Sequence, residues 1–334
     1  MLLILVFGFL FGAILQNAKL NRYNTISGMA MLKDLTMAKA IATAIGVGLI
    51  LVNIEIALGF ASYHIKPLLL GGVIIGGLIF GSGMAILGYC PGTIPISMGE
   101  GSLDALTGFI GALAGGIVYT LVVPSLTSIT GPDLGMPALI TAFSGPSAGF
   151  IITLFLIGTL IVAVAFWLHR VEKGKDYNWL ISGVALAMLT AGIFLKDVFD
   201  RVLGASGFYP YFGDMIAGLT ESKYYQNIVK SGNWEMIFLA GAFLSGLVLS
   251  ILRKDFKLTL IHDNWKKYKN DSNGSRIFWS FAGGFLLIIG ARLAGGCTSG
   301  HIISGGMQLA ASSWMFAIFV FGSFLLTGKL FYRK

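Results

Sequence analysis

Two cysteines are all the thiol chemistry this 334-residue chain has, and they sit in matching surroundings. Gly83, Gly88, Cys90 and Ser97 recur as Gly290, Gly295, Cys297 and Ser304 at one constant offset, each set closing a long apolar run. In the first segment Pro91 follows Cys90, and proline is favoured at the first position of a helix. Cys90 is then expected to cap a short helix that begins at Pro91 and continues through Gly92 and Thr93. The second segment, Cys297-Thr298-Ser299-Gly300-His301, offers the same geometry with two hydroxyl donors added. A helix N-terminus carries free N–H groups and partial positive charge, which suit an anion. Two such termini facing each other, each with a thiol, suit a small sulfur-containing anion. A dianionic ligand and apolar surroundings both oppose a thiolate, so each thiol is expected neutral, donating a weak hydrogen bond.

The plainer role for a free cysteine is that of a small buried hydrophobe, a role that explains one cysteine better than a matched pair. Arg292 lies inside an apolar stretch, where a charge is costly and points to function, the alternative being a pairing with a carbonyl or with Glu55. His301 can orient an anion or shuttle a proton, or be an ordinary hydrogen-bonding residue. Glu100 and Asp104 are expected to cap the next helix, and Trp179 and Trp234 to anchor span starts at the interface.

The elements that carry these segments are membrane helices. A hydrophobic fraction of 56% with 11% charged residues and a mean hydropathy of +0.83 exceeds what one soluble domain can bury. Met1 to Leu15 lacks the basic start and small-residue cleavage site of a signal peptide and is taken as a first span. Further spans are expected over 38–60, 68–87, 103–123, 148–168, 179–195, 234–252, 277–293 and 312–331. The cysteine segments fall after the third and eighth, too rich in Gly, Pro, Ser and Thr for continuous helix. Two cysteines without CxxC spacing give neither metal site nor disulfide framework, and no basic stripe suggests nucleic acid. No cofactor is expected.

Lys and Arg concentrate in cytoplasmic loops. The loops after spans one, five and seven and the C-terminal tail hold seventeen of them, Lys175 and Lys334 included, against five on the other side. The N-terminus is therefore expected outside and the C-terminus in the cytoplasm. Span three then runs inward and span eight outward. The expected fold class is all-α: a polytopic membrane protein of about nine transmembrane helices plus short re-entrant helices. Its two inverted-topology halves would be related by a pseudo-two-fold axis. In these terms 1–334 is one transport domain, 1–123 the first half, 148–168 a connecting helix and 179–334 the second half.

Through Gly88-Tyr-Cys90-Pro-Gly92-Thr93 and the string from Gly290 to His301, the chain resembles the YeeE/YedE family of sulfur-compound membrane transporters over nearly its whole length. The resemblance implies uptake of thiosulfate across the cytoplasmic (inner) membrane, Cys90 and Cys297 handing the anion along a narrow passage. Many members carry a third cysteine after the first span. Here that stretch reads from Lys19 to Gly28 without a thiol, which leaves Asn24 or Thr25 for the last step, or no group at all. Selenium and other sulfur compounds stay open as substrates. The competing activity is a membrane-embedded sulfurtransferase carrying a cysteine persulfide, which needs a base beside the thiol. Expected partners are a small anion, membrane lipid and a cytoplasmic sulfur-carrier protein. The loop charges predict that a membrane-impermeant amine label reaches Lys266 only from the cytoplasm and Lys223 only from outside; labelling of both from one side would refute this orientation.

Overall fold

The computed structural model describes residues 1–143, 147–174 and 176–333, so Lys175 and Lys334 lie outside it. The described chain is helical, with isolated β-bridges only. Its α-helices are α1 (Leu2–Asn17), α2 (Tyr23–Ala30), α3 (Thr36–Ala57), α4 (Leu70–Leu87), α5 (Thr93–Gly99), α6 (Leu103–Thr130) and α7 (Ala148–Glu172). They continue as α8 (Asn178–Phe194), α9 (Phe208–Ala217), α10 (Lys223–Leu252), α11 (Asp263–Tyr268), α12 (Asn273–Leu293) and α13 (Ala311–Phe331). Seven of the described helices, α3, α4, α6, α7, α10, α12 and α13, are long and apolar enough to cross a membrane. The expected first and sixth spans are the shorter apolar helices α1 and α8. Serine caps fix three starts: Ser147, Ser222 and Ser272 accept from the N–H groups of Phe150, Tyr225 and Ser275.

Helix α4 is the hub, packed against α12 and α13, while α6 lies along α12. α4 and α12 meet backbone to backbone. A Cβ on Gly83 would lie 2.6 Å from the Leu287 nitrogen, and one on Gly290 2.4 Å from the Phe80 nitrogen, so only glycine permits this approach. On the periphery α7 packs on α3 and is tied by a Lys39–Glu172 ion pair in which the lysine is buried.

A buried charge cluster locks the end of α4 to the starts of α6 and α12. Asp104, expected only to cap α6, is fully buried, and its Oδ2 accepts from Arg276 Nε at 3.1 Å and Nη2 at 2.5 Å. Arg276 also donates to the carbonyls of Ile86 and Leu87, the last turn of α4, at 3.4 and 2.8 Å. Tyr89 and His262 meet the other carboxylate oxygen at 3.2 and 3.0 Å. Arg276, one of the basic residues counted in the loop after span seven, is buried over the rings of Tyr23 and Trp265.

Two further expectations are corrected. Trp179 and Trp234 are buried, not interfacial: Trp179 donates to His169 Nδ1 at 3.2 Å, and Trp234 stacks on Phe238 beneath Arg201. Trp234 lies inside α10, which begins at Lys223. Removing one member of a buried ion pair costs about 3–5 kcal/mol because the other charge stays behind. Asp104→Asn is therefore expected to lower the thermal midpoint of the detergent-solubilised protein sharply, and an unchanged midpoint would show that the pair holds nothing together.

Candidate functional site

Both cysteine segments start in the same way. Helix α4 ends on Gly88 at φ +80°, and the turn after α12 passes through Gly295 at φ +76°, a region that side chains with a Cβ rarely adopt. A Cβ on Gly88 would also strike the Tyr23 ring at 2.2 Å. Beyond Gly88, Tyr89 is pinned by Asp104 and the Pro91 carbonyl accepts from Tyr209 at 2.6 Å. Cys90 is not the cap that was expected, because α5 begins at Thr93 after Gly92. Pro91 sits in the preceding turn. Thr93 Oγ1 instead closes that turn, accepting from the Cys90 N–H at 2.9 Å and donating to the Cys90 carbonyl at 3.1 Å.

Cys297 does cap its segment. It is extended, and residues 298–305 then wind as a π-helix, a rare conformation found often at functional sites. The Cys297 carbonyl accepts from the His301 N–H at 2.8 Å, and its Sγ lies 3.2 Å from Ser299 Oγ.

The two segments meet at one cavity of about 40 Å³. Cys90, Pro91, Gly92 and Thr93 line one side and Cys297, Thr298 and Ser299 another, with Phe11, Leu15, Leu20, Met37, Ile41, Leu186 and Ile303 completing the wall. No charged side chain lines it among the described residues. Both thiols are free and buried. Thr298 Oγ1 is buried without a hydrogen-bond partner, an arrangement that costs free energy unless something else uses the hydroxyl.

Four expected residues stand off this wall. His301 is buried, its Nε2 donating to the Ala294 carbonyl at 2.8 Å and its Nδ1 facing Ser313 Oγ at 3.1 Å, so both ring nitrogens are occupied. Arg292 donates to Tyr224 Oη at 2.6 Å and Ser206 Oγ at 3.4 Å, not to Glu55. Gly300 lies behind the segment, where a Cβ would be 3.1 Å from Lys66 Nζ. Asn24 lies on a separate polar cavity of about 400 Å³ with Arg22, Glu100, His262 and Asp263, bonded to Asp263 and Asn264.

A sequence profile for sulphur transport matches residues 22–326, a stretch that takes in both cysteine segments. The chain belongs to the sulphur transport family. Among its relatives is the thiosulfate transporter TsuA of Spirochaeta thermophila, 27% identical over 346 residues that cover 98% of each chain. Membership in this family bears out transport, not catalysis, as the function expected of the chain.

For a sulphur transport protein the residue that the sequence concealed is Lys66, which has no motif and counts only as a loop charge. Its Nζ donates to the Gly295 carbonyl at 2.6 Å, and a Cβ on Gly296 would come within 2.0 Å of that nitrogen. Burial lowers this ammonium to about 8, with Arg292 and Arg201 pushing the same way and Cys297 and Glu235 opposing. Lys66 and Arg292 thus place cations behind Cys297 without entering the cavity wall. The orphaned hydroxyl of Thr298, a residue of the cavity wall, gives a test. Thr298→Val, which keeps shape and removes an unpaired buried group, is expected to leave the thermal midpoint unchanged or raised while lowering sulfur-anion uptake several-fold; full uptake would show that Thr298 serves no substrate.

Proposed function

We propose that this protein takes up thiosulfate across the cytoplasmic membrane, passing it between the neutral thiols of Cys90 and Cys297. The observation that carries the reading is that two cysteines from distant segments line one uncharged, buried cavity. Its weak donors, the thiols with Thr298 and Ser299, can hold a dianion loosely enough for it to leave, as flux requires. The relative named for thiosulfate transport supports this choice among sulfur anions. A persulfide-forming sulfurtransferase needs a base at the thiol, but both nitrogens of His301 are engaged and Lys66 Nζ donates to the Gly295 carbonyl.

The reading includes two inverted halves, with the N-terminus outside and the C-terminus in the cytoplasm. Contacts between α4 and α12 support the duplication. Gly83 meets the Gly283 oxygen and the Leu287 nitrogen, and its counterpart Gly290 meets the Gly76 oxygen and the Phe80 nitrogen, residues that correspond at the same offset as the cysteines. The packing of α12 on α6 mirrors that of α4 on α13, and α1 on α10 mirrors α8 on α3.

On the inward side the path continues past Asn21 and Ser97. Leu20 and Thr93 line the thiol cavity, while Arg22 and Glu100 line the polar cavity. Asn21 and Ser97 lie between them in both chain segments and are bonded to each other. The Asn21 Nδ2 donor has only the 3.4 Å bond to Ser97 Oγ to give up, so its amide is better placed than Asn24 or Thr25 for the step without a thiol. The polar cavity beyond is where a cytoplasmic sulfur carrier would collect the anion.

Replacing either cysteine by Ala removes a donor, while Ser keeps one. Cys90→Ala and Cys297→Ala are each expected to lose most labelled-thiosulfate uptake in cells without other importers, at normal membrane insertion, with the Ser variants losing less. Full uptake by either Ala variant would refute the relay, and complete loss with Ser at one position but none at the other would favour a persulfide enzyme.

A further inference from the structure

An open groove of about 520 Å³ runs between the turn after α2 and the last turns of α13, sharing no lining residue with the thiol or polar cavity. One wall is apolar, built from Met31, Leu32, Leu325 and Leu326. Leu32 is 64% exposed, turned outward by a positive φ of 55°, and Leu326 is 59% exposed. The floor is tight: a Cβ on Gly328 would lie 2.2 Å from the Ala30 carbonyl. At the rim stand Lys33 and the exposed Lys329.

The charge around this groove is one-sided. Lys33 Nζ donates to Tyr268 Oη at 2.8 Å and lies 3.9 Å from the ring centroid, with Lys267 Nζ 5.4 Å from the same centroid. Lys269 Nζ donates to the Phe331 carbonyl, beside the lining residue Tyr332. The Lys33 hydrogen bond, with Lys267, holds the Tyr268 phenol below its ordinary value. Against these cations stands Asp34, whose Oδ1 already accepts from the Thr36 N–H at 2.9 Å.

We propose that this groove binds an anionic glycerophospholipid of the adjoining leaflet, its phosphate between Lys33 and Lys329 and an acyl chain along Leu32, Leu325 and Leu326. Basic pockets at the ends of membrane helices recognise such headgroups, and each lysine near the surface contributes comparably. A soluble phosphate would have no use for the leucine wall. A second copy of this chain, docked through the same face, would set these lysines against their own counterparts, a like-charge contact that disfavours an isologous dimer.

The test uses the full-length protein in neutral detergent, with native mass spectrometry and thermal unfolding in phosphatidylglycerol or in phosphatidylcholine of the same acyl chains. Phosphatidylglycerol is expected to be retained and to raise the midpoint, and phosphatidylcholine to do neither. At about 1 kcal/mol per lysine, Lys329→Gln should weaken phosphatidylglycerol binding about fivefold and the Lys33→Gln/Lys329→Gln pair about thirtyfold. Lys329 is exposed, so its single variant reports on the lipid even if loss of the Lys33–Tyr268 bond disturbs the fold. Leu326→Trp, which fills the groove, should also reduce retention. Equal retention of the two lipids, unchanged binding by the double variant, stabilisation by inorganic phosphate alone, or a dimer formed through this face would each overturn the proposal.

Discussion

The approach of α4 to α12 sets where both cysteine segments begin, and it is possible only because Gly76, Gly83, Gly283 and Gly290 have no side chains at the contact. Within lipid there is no hydrophobic drive to bring helices together, so close backbone packing supplies the attraction instead. A methyl group at Gly83 or Gly290 would overlap backbone atoms of the other helix and push the pair apart. Each helix then gives way to a left-handed glycine, Gly88 or Gly295, and two residues later comes a cysteine. The contact and the two turns together form one device, and the thiol cavity is its product.

Around that device the fold separates charge from cavity. Fixed charge on the wall would either trap a dianion or repel it, and burying it there would need a paired counter-charge. The structure keeps its ions off the wall instead. Lys66 holds the Gly295 carbonyl, Arg292 is held by Tyr224 and Ser206, and Arg276 is paired with Asp104 at the last turn of α4. The wall itself carries no charged side chain among the described residues.

The thiol pair was legible in the sequence because its signal is local: a cysteine with its glycines and serine, repeated at one spacing. Helices were legible for the same reason, as apolar runs of spanning length. What escaped was long-range pairing. Asp104 reads locally as a first-turn acid and Arg276 as one more inner basic residue, and only the fold brings residues 172 positions apart into contact. Trp179 and Trp234 read as interface anchors because aromatic residues gather at span ends, but partners from other elements bury both. Lys66 lacked any signal, since its partner is a backbone carbonyl more than two hundred residues away. His301 was visible as a residue of interest, yet its hydrogen bonds to Ala294 and Ser313 make it a structural clasp.

On the proposed path, Asn21 takes the step for which this chain has no thiol. A thiol offers a weak, poorly hydrated donor, and a primary amide offers stronger donors together with an acceptor. An amide facing the anion would bind too tightly if its donors were free. In Asn21 the Nδ2 is directed to Ser97 Oγ at 3.4 Å, a long bond, while Ser97 itself donates to the Asn21 carbonyl at 2.6 Å. The serine is thus committed to the backbone and holds the amide only loosely. An amide so placed can turn its nitrogen to a passing anion and fall back, at the cost of one weak bond. On the proposed path that exchange stands in for the low, reversible affinity of a thiol, because the Nδ2 donor has only its long bond to Ser97 Oγ to lose.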